Sequence, residues 1–422
     1  KALLIKEGGE FYAMGHKCPH YGAPLVKGVL SKGRVRCPWH GACFNIGTGD
    51  IEDFPGLDSL PRFQVRPLFL SAQPLWKCGA SKGGTGLWAL LTPFPCPANC
   101  CSLSPSGAAG LVCAETLRQE GFSDRIVMCT MDRHLPYDRP KLSKSMDSHP
   151  EQIALRPKEF FRTYDIEVLT EMQAAAVDIK NKTAVFKDGF KMEYNKLLIA
   201  TGNTYGTPQW DGAVGTEAHP LFPQMFESHR VKFYMQTEVS ELREQESKVQ
   251  CGSGKKGPLL SPTGAVPATG FLKQSGINID SKGFIVVNKM MQTNIPGVFA
   301  AGDAVTFPLA LRNNKKVNVP HWQMAHMHGR IAALNMLAHG TEISTVPYLW
   351  TAMFGKSIRY AGHGEGFDDV VIQGDLDELK FVAFYTKSDE VVAVASMNYD
   401  PIVSKVAEVL AAGRAIRKRD VE

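Results

Sequence analysis

Two cysteine–histidine pairs near the start of the chain constrain its fold more than any other feature. Cys18 and His20 form a C-x-H motif, and Cys37 and His40 form a C-x-x-H motif after a gap of sixteen residues. Thiolates are soft ligands that hold iron in iron–sulfur clusters, and imidazoles can replace two of them on one iron. The spacing fits two glycine-containing loops around a [2Fe–2S] cluster, with both cysteines on one iron and both histidines on the other. Neutral ligands leave such a cluster less negative and raise its potential to roughly −150 to +300 mV.

The alternatives are a zinc site and a chance grouping of four residues. Zinc fingers more often combine C-x-x-C with H-x₃₋₅-H, so they fit less well. Residues 18–44 resemble the signature of Rieske ferredoxins, including the Pro-Trp before the second histidine and the Gly-Ala-Cys-Phe after it. Cys43 is the only other cysteine in these loops, which favours the ferredoxin-type subgroup without a disulfide. Four short segments between glycine turns predict an all-β domain, namely residues 3–5, 11–13, 34–36 and 63–65.

A second pattern begins at Gly107, where residues 107–121 predict a glycine turn followed by an amphipathic helix. Residues 126–128 predict a buried strand that ends near Asp132. Such a unit binds a dinucleotide, because its glycines (here Gly107 and Gly110) let backbone N–H groups meet the pyrophosphate while an acidic residue binds the ribose. The first glycine of the usual motif is missing and no Val/Ile-rich strand precedes it. A glycine-capped helix without a ligand is therefore the alternative.

Three downstream segments, residues 135–144, 197–202 and 293–303, indicate what the dinucleotide is. They resemble the R-P-x-L-S-K, A-T-G and T…G-x-x-A-x-G-D motifs of the flavoprotein reductases that include apoptosis-inducing factor and the ferredoxin reductases of dioxygenase systems. The resemblance implies an α/β FAD-binding domain of the glutathione-reductase type. In it Asp303 would bind a ribityl hydroxyl, and Lys144 would lie near the flavin ring. The implied FAD-binding residues are Gly107, Gly110, Asp132, Arg139, Lys144, Thr201, Gly202 and Asp303. A helix N-cap for Asp303 and a solvated lysine for Lys144 are the alternatives.

The C-terminal region predicts a small α+β domain. Residues 368–372, 378–385 and 390–397 have the pattern of a strand meander, and a helix is predicted after Asp400-Pro401. From Tyr348 onward the sequence resembles the C-terminal interface domain of the same reductases. That resemblance implies that Trp350 lies beside the flavin, with simple core packing as the alternative. Rieske-bearing, mitochondrion-associated members of the family fit best, with a resemblance that covers residues 1–72, 107–202, 229–247 and 264–422.

One module of the family is too short in this chain. Reductases of this kind insert an NAD(P)H-binding module with its own glycine motif after the A-T-G segment, and that module needs well over a hundred residues. Here about sixty residues separate Gly202 from Gly264, and residues 203–223 contain no second glycine motif. This pattern predicts a truncated or alternatively spliced chain. The predicted organisation is a Rieske domain at 1–72, an irregular linker at 73–106, an FAD-binding domain at 107–339 with a truncated insert around 203–263, and an interface domain at 340–422.

Composition excludes several functional classes. The 422 residues, 44% hydrophobic and 21% charged, are typical of a soluble protein with two to three domains. No apolar run is long enough to predict a transmembrane span, and the net charge of +5 is scattered, so no nucleic-acid partner is expected. Ten cysteines without regular spacing favour a reducing compartment. A mitochondrial or cytoplasmic location is expected, with any targeting segment upstream of Lys1.

These patterns predict an electron-transfer protein. By resemblance, hydride would pass from NAD(P)H to FAD, and single electrons would pass from FAD to the cluster and then to an electron acceptor. This chemistry needs no general base or nucleophile, so no catalytic residue is predicted. We expect this chain to use NAD(P)H poorly. The alternatives are a non-enzymatic, apoptosis-linked scaffold and a defective splice product without a stable flavin domain.

Overall fold

A computed structural model describes most of the chain, namely residues 1–70, 73–80, 100–103, 107–142, 144, 148–205, 242–245, 248–251, 265–353 and 355–422. The chain forms two compact units, residues 1–202 with 267–422, and residues 203–266. All the predicted cluster and flavin residues belong to the first unit. The second contains the strand Asn203–Tyr205 and the antiparallel pair Leu242–Gln245 and Lys248–Cys251. Much of the predicted NAD(P)-binding insert, including residues 206–241, lies outside the described residues.

The N-terminal domain consists of two four-stranded antiparallel sheets, as the glycine-separated segments predicted. The strand order of the first is Ala2–Glu7, Glu10–Gly15, Arg62–Leu70 and Gln73–Ala80. That of the second is Val29–Ser31, Arg34–Arg36, Cys43–Asn45 and Ile51–Asp53, with the 3₁₀ turn Leu25–Lys27 before it. Gly8 and Gly9 turn the first hairpin with φ values of 59° and 87°, which glycine adopts without steric cost.

A five-stranded parallel sheet forms the centre of the next domain. Its strand order is Ile166–Leu169, Ile126–Cys129, Cys100–Leu103, Lys196–Ile199 and Val298–Ala300. The residues of Ile126–Cys129 and of Val298–Ala300 are all buried, as expected for a parallel sheet covered on both faces. The predicted α/β class of this domain is confirmed.

The central strand of that sheet corrects the prediction that residues 73–106 form an irregular linker. Cys100–Leu103 pairs in parallel with Ile126–Cys129 on one side and with Lys196–Ile199 on the other, so a strand does precede Gly107. Gln73–Ala80 is also a strand, paired with Arg62–Leu70. The Cys-Cys-Ser-Leu sequence has no run of β-branched residues, so its conformation depends on the two neighbouring strands and not on local propensity.

Two helices pack closely against each other in this domain. The helix Ala108–Gln119 follows the central strand. The helix Trp322–Met336 packs against this first helix at Gly329. A Cβ atom on Gly329 would lie 2.2 Å from the carbonyl oxygen of Ala109, so only glycine permits this approach. The contact fixes the start of the first helix, where the dinucleotide is predicted to bind.

Shorter elements complete the domain. A β-meander comprises Ala174–Asp178, Thr183–Phe186 and Lys191–Glu193. A small mixed sheet comprises Ile285–Val286, Val305–Leu309 and Lys315–Val317. The remaining elements of the domain are the helices Arg139–Leu142 and Lys158–Thr163, and the 3₁₀ turns Pro150–Ile153, Gly270–Leu272, Gly302–Ala304 and Ala310–Arg312. The strand Ala265–Pro267 pairs with Asn203–Tyr205 of the second unit.

The C-terminal domain confirms the predicted meander and helix. Its antiparallel sheet has the order Tyr348–Met353, Lys356–Gly362, Glu390–Met397, Lys380–Lys387 and Asp369–Asp375. The helix Ile402–Ala411 packs on this sheet through Val403, Val406 and Leu410, and the 3₁₀ turn Lys418–Asp420 follows. No helix in the described residues is both long enough and apolar enough to cross a membrane.

Ion pairs join the N-terminal domain to the two others, and the pair with the C-terminal domain is buried. Glu408 of the C-terminal helix is 4% exposed and pairs with the guanidinium of Arg36, and its other oxygen lies 3.1 Å from Nη2 of Arg34. On the central domain, Arg156 binds Asp58 at 2.8 Å and Glu115 at 2.9 Å. Breaking the Arg36–Glu408 pair should cost about 3–5 kcal/mol because one charge stays buried without a partner, whereas Asp58 is largely exposed and its pair with Arg156 contributes less. These contacts therefore fix the position of the N-terminal domain.

Candidate cluster and flavin site

The two predicted ligand loops are structural copies of each other. Residues 18–23 read C-P-H-Y-G-A and residues 37–42 read C-P-W-H-G-A. Each loop turns at a glycine with positive φ, 75° at Gly22 and 76° at Gly41. Equivalent backbone hydrogen bonds close both loops: Gly22 N to Cys18 O (2.9 Å), Gly41 N to Cys37 O (3.3 Å), Cys18 N to Ala23 O (2.9 Å) and Cys37 N to Ala42 O (2.7 Å).

The cysteines of both loops meet in the interior. Cys18 and Cys37 are buried and share a side-chain hydrogen bond. That bond lowers the pKa of Cys37 to about 7, assisted by the backbone N–H groups of His40 and Trp39, and the same contact together with burial raises the pKa of Cys18. Backbone N–H groups that converge on a sulfur stabilise a thiolate, which is the form that binds metal.

The two histidines also meet, with ring centroids 4.9 Å apart. Burial lowers the pKa of His20 to about 4 and that of His40 to about 3, so both imidazoles are neutral at pH 7 and keep a lone pair for a metal. The Nδ1 atom of His20 is buried without a hydrogen-bond partner. A buried nitrogen of this kind is stabilised by a metal bond.

The grouping in pairs fits a cluster of two irons and not a single metal ion. Among the described residues, no three His, Cys, Asp or Glu side chains are close enough to hold one metal ion together. A cluster in which each iron takes two protein ligands requires only two converging pairs. The residues present therefore fit the predicted [2Fe–2S] cluster better than the zinc alternative.

Trp350 lies against the histidine pair. Its ring centroid is 5.0 Å from that of His40, 5.9 Å from that of His20 and 4.8 Å from that of His321. The adjacent Thr351 accepts a hydrogen bond of 3.1 Å from Nζ of Lys144. Two residues that were predicted near the flavin thus lie at the edge of the ligand loops.

Residues that the sequence did not indicate support the second ligand loop. Ser404 donates to the carbonyl of Cys37, Arg359 to that of Trp39 and Arg36 to that of Gly41. Tyr348 packs on Gly41 so closely that a Cβ there would lie 2.7 Å from its ring. Arg36 directly precedes the ligand Cys37 in the sequence, and a charged residue at that position was a signal that could have been used. Arg359 and Ser404 lie more than three hundred residues away and carry no such signal.

The predicted flavin residues form a second group. Gly107 is the N-cap of the helix Ala108–Gln119 and Gly110 lies buried in its first turn. A Cβ on Gly302, which has a φ of 81°, would lie 3.6 Å from Cβ of Ala109, so the turn that carries Asp303 packs on this helix start. Backbone N–H groups at a helix start and a nearby carboxylate fit the pyrophosphate and ribityl groups of FAD.

A hydrogen-bonded segment follows the second parallel strand. The carboxylate of Asp132 accepts from the hydroxyl of Tyr137 at 3.0 Å and lies 3.7 Å from Nη2 of Arg139. The charge of Arg139 also acts on Asp303 and lowers its pKa against the larger, opposite effect of burial. The structure therefore brings Asp132, Arg139 and Asp303 into one electrostatic group.

Thr201 and Gly202 are placed at the C-terminal end of the fourth strand. The hydroxyl of Thr201 donates to the carbonyl of Ala268 at 2.9 Å, and the carbonyl of Gly202 accepts from the amide of the same residue at 2.9 Å. These bonds tie the segment after the strand to the chain that returns from residues 203–266. A direct part for these two residues in flavin binding stays a prediction.

Asp303 gives a pH-dependent prediction. Burial raises the pKa of its carboxyl from 3.8 to about 6, so the folded, FAD-free chain holds this proton more tightly than the unfolded chain. Its stability should therefore fall as pH rises from about 4 to about 6. We expect Asp303→Asn to raise the urea midpoint at pH 7.5 but not at pH 4, while weakening FAD binding. Asp377→Asn, on the surface, is the control. An equal shift at both pH values would contradict the prediction.

Three known families match the chain. Residues 1–64 match the Rieske [2Fe-2S] domain, residues 106–222 and 212–329 match the pyridine nucleotide-disulphide oxidoreductases, and residues 348–422 match the reductase C-terminal domain. The second match covers more than half of the chain. The predicted order of the three domains is confirmed.

Relatives and solved structures agree with these matches. Apoptosis-inducing factor 3 of Mus musculus is 60% identical over an alignment that covers all of this chain and 82% of the relative. The benzene 1,2-dioxygenase system ferredoxin–NAD(+) reductase subunit of Pseudomonas putida is 25% identical over 66% of this chain and 84% of its own length. A ferredoxin reductase structure from Rhodopseudomonas palustris superposes with a TM-score of 0.68 at 20% identity, over 77% of this chain and 97% of the other, which establishes the shared fold.

Matched domains and a full-length relative thus agree with the cofactors expected from the residues. The chain therefore belongs to the pyridine nucleotide-disulphide oxidoreductase family, as an FAD-dependent oxidoreductase that carries a Rieske [2Fe–2S] cluster and is related to apoptosis-inducing factor 3.

Proposed function

We propose that this chain transfers electrons between its own FAD and its own Rieske cluster, with Cys18, His20, Cys37 and His40 as the cluster ligands. One observation carries the proposal: Trp350, the aromatic predicted beside the flavin, lies 5.0 Å from the ring of His40. Electron transfer slows steeply with distance, so an aromatic side chain between the two cofactors shortens the gap. A separate ferredoxin is then not needed for this step.

The protein's residues bind, orient and shield the cofactors. When bound, FAD supplies two-electron and one-electron chemistry and the cluster supplies one-electron chemistry. Asp303 and the helix start at Gly107 would hold the ribityl and pyrophosphate groups. Lys144, fixed by its hydrogen bond to Thr351, places a positive charge near the strand that carries Trp350. The sulfurs of Cys18 and Cys37 are buried, which keeps water away from this half of the ligand set.

Substitution of Trp350 tests the proposed route. We expect Trp350→Ala to slow electron transfer from photoreduced flavin to the cluster several-fold, because the aromatic contact with both histidines is lost. Trp350→Phe keeps a ring and should restore much of the rate. Flash photolysis with absorbance detection of both cofactors measures the rate. Unchanged kinetics in Trp350→Ala, with both cofactors at full occupancy, would contradict this route.

We also propose that this chain oxidises NADH and NADPH poorly. Residues 203–223, directly after the A-T-G segment, contain no second glycine motif to hold the pyrophosphate of a nicotinamide cofactor. The G-x-G-x-x-G run at residues 252–257 is followed by Pro258 and Pro262, which disfavour the helix that such a motif needs. The alignment with the mouse relative spans 496 positions, more than the 422 residues of this chain, so the relative carries residues that this chain lacks. These facts support the loss of a nicotinamide-binding part.

Further assignments are proposals of the same kind. The domain boundary at 339 is supported by the gap between two family matches, which end at residue 329 and begin at residue 348. The boundaries at 72 and 106 are replaced, since the strand Gln73–Ala80 belongs to the N-terminal sheet and the strand Cys100–Leu103 belongs to the parallel sheet. Reductases among the relatives are named for ferredoxin as well as NAD(+), which supports an iron–sulfur protein as the external acceptor class. The name of the mouse relative supports a link to apoptosis. A mitochondrial or cytoplasmic location stays a prediction from the resemblance.

A further inference from the structure

The second ligand loop is held at three alternate backbone carbonyls. Ser404 Oγ donates to the carbonyl of Cys37 at 3.1 Å, Arg359 Nε to that of Trp39 at 2.6 Å and Arg36 Nη1 to that of Gly41 at 2.8 Å. Ser404 and Arg359 belong to the C-terminal domain, and Arg36 is tied to that domain through Glu408. The C-terminal domain therefore positions the loop that carries Cys37 and His40.

The two guanidinium groups differ in how their charge is balanced. Arg36 is paired with two carboxylates, Glu408 and Asp53. Arg359, only 6% exposed, has one carboxylate partner, Asp400, at 2.6 Å, and a neutral hydrogen bond to Ser357 at 2.9 Å. Of the two cations on the ligand loop, Arg359 is thus the one whose charge is less compensated in its described ion pairs.

The guanidinium of Arg359 lies against the backbone between the two ligands of this loop. It donates to the carbonyl of Trp39, which is two residues after Cys37 and directly before His40. A buried positive charge at this position favours any change that makes the site more negative. Gaining one electron makes the cluster site one charge more negative, so a buried cation here raises the reduction potential.

We propose that the Arg359–Asp400 pair of the C-terminal domain sets the reduction potential of the Rieske cluster, with Arg359 raising it and Asp400 limiting the rise. Arg359 acts through the carbonyl of Trp39 and is a positioning and tuning residue, not a ligand. The proposal rests on the ligand set proposed above. According to this proposal, the C-terminal domain tunes the reduction potential of the cluster through a residue that is not itself a ligand.

Two substitutions that should shift the reduction potential in opposite directions test this proposal. In the full-length chain with its cluster reconstituted, the potential is measured by redox titration with EPR detection of the reduced cluster. Arg359→Met removes the charge and should make reduction at least tenfold less favourable, which is about 59 mV for one electron. Asp400→Asn keeps an acceptor for Arg359 but removes the negative charge, so it should shift the potential upward. Arg359→Lys should retain more of the wild-type potential than Arg359→Met.

The control is Arg125→Met, which removes a cation from an exposed pair with Glu167 and should leave the potential unchanged. Mere loosening of the loop would move both Arg359→Met and Asp400→Asn in the same direction, and that result would overturn the proposal. If Arg359→Met does not retain a cluster, Asp400→Asn alone tests the proposal. An upward shift of its reduction potential supports the proposal, and a downward shift or no shift contradicts it. A wild-type chain without the EPR signal of a reduced two-iron cluster would instead overturn the ligand set, and the tuning proposal with it.

Discussion

Anaerobic addition of NADH or NADPH to the FAD-loaded chain is expected to leave the oxidised flavin bands unchanged, whereas dithionite bleaches them. Hydride transfer requires the nicotinamide ring to be held against the flavin, and such positioning can supply ~7–11 kcal/mol of the barrier reduction. The nicotinamide cofactor is normally bound through its pyrophosphate, by a second glycine turn and the start of the helix that follows it. Residues 203–223 contain no such motif, and the glycine run at 252–257 is followed by Pro258 and Pro262, which disfavour a helix, so the expected effect is close to complete loss.

A relative that is named for its use of NAD(+) is the positive control for this experiment. The ferredoxin–NAD(+) reductase subunit of the Pseudomonas putida benzene dioxygenase system, mixed under the same conditions, should be bleached by NADH. Stopped-flow absorbance follows both proteins. Rapid bleaching of this chain by NADH would contradict the proposal and would mean that nicotinamide binds through another part of the protein.

The second large effect is expected from the cluster ligands. Cys37→Ala should abolish the cluster, because one iron loses half of its protein ligands and the thiolate favoured by two backbone N–H groups is gone. Iron and acid-labile sulfide in the anaerobically purified full-length chain measure the loss, together with the EPR spectrum after reduction.

Cys43→Ala is the matched control for this experiment. Cys43 lies in the strand after the second loop, and burial raises the pKa of its thiol to about 12, so it stays protonated. Its sulfur contacts only Glu408, at 3.8 Å, among its described hydrogen bonds. Full iron content in Cys43→Ala with none in Cys37→Ala supports the four-residue ligand set. Loss of iron from both variants, or from neither, would contradict it.

Local patterns predicted the parts of the site that lie on short loops. The spacing of Cys18, His20, Cys37 and His40 was informative because a cluster fixes ligand types and loop lengths within about twenty-five residues of sequence. The turn at Asp303 was predicted for a similar reason, since its glycine and carboxylate lie next to each other. In these segments the chemistry and the local backbone depend on the same few residues.

Long-range contacts were not predictable in the same way. The strand Cys100–Leu103 depends on parallel partners on both sides, and nothing in its own sequence favours a strand. Arg359, Ser404 and Glu408 support the ligand loop from positions more than three hundred residues further along the chain. Their side chains have no periodicity or motif, so only the docking of the C-terminal domain reveals them.

Electron transfer within a single molecule is the central claim, and its dependence on protein concentration tests it most directly. After a flash that reduces the flavin of the full-length chain, the account predicts that the cluster is reduced in a first-order step. The rate constant should not change over a hundredfold or so dilution, because the histidine pair and Trp350 belong to one chain. A rate that rises in proportion to protein concentration, or a cluster that stays oxidised while the flavin is reduced, would contradict the account.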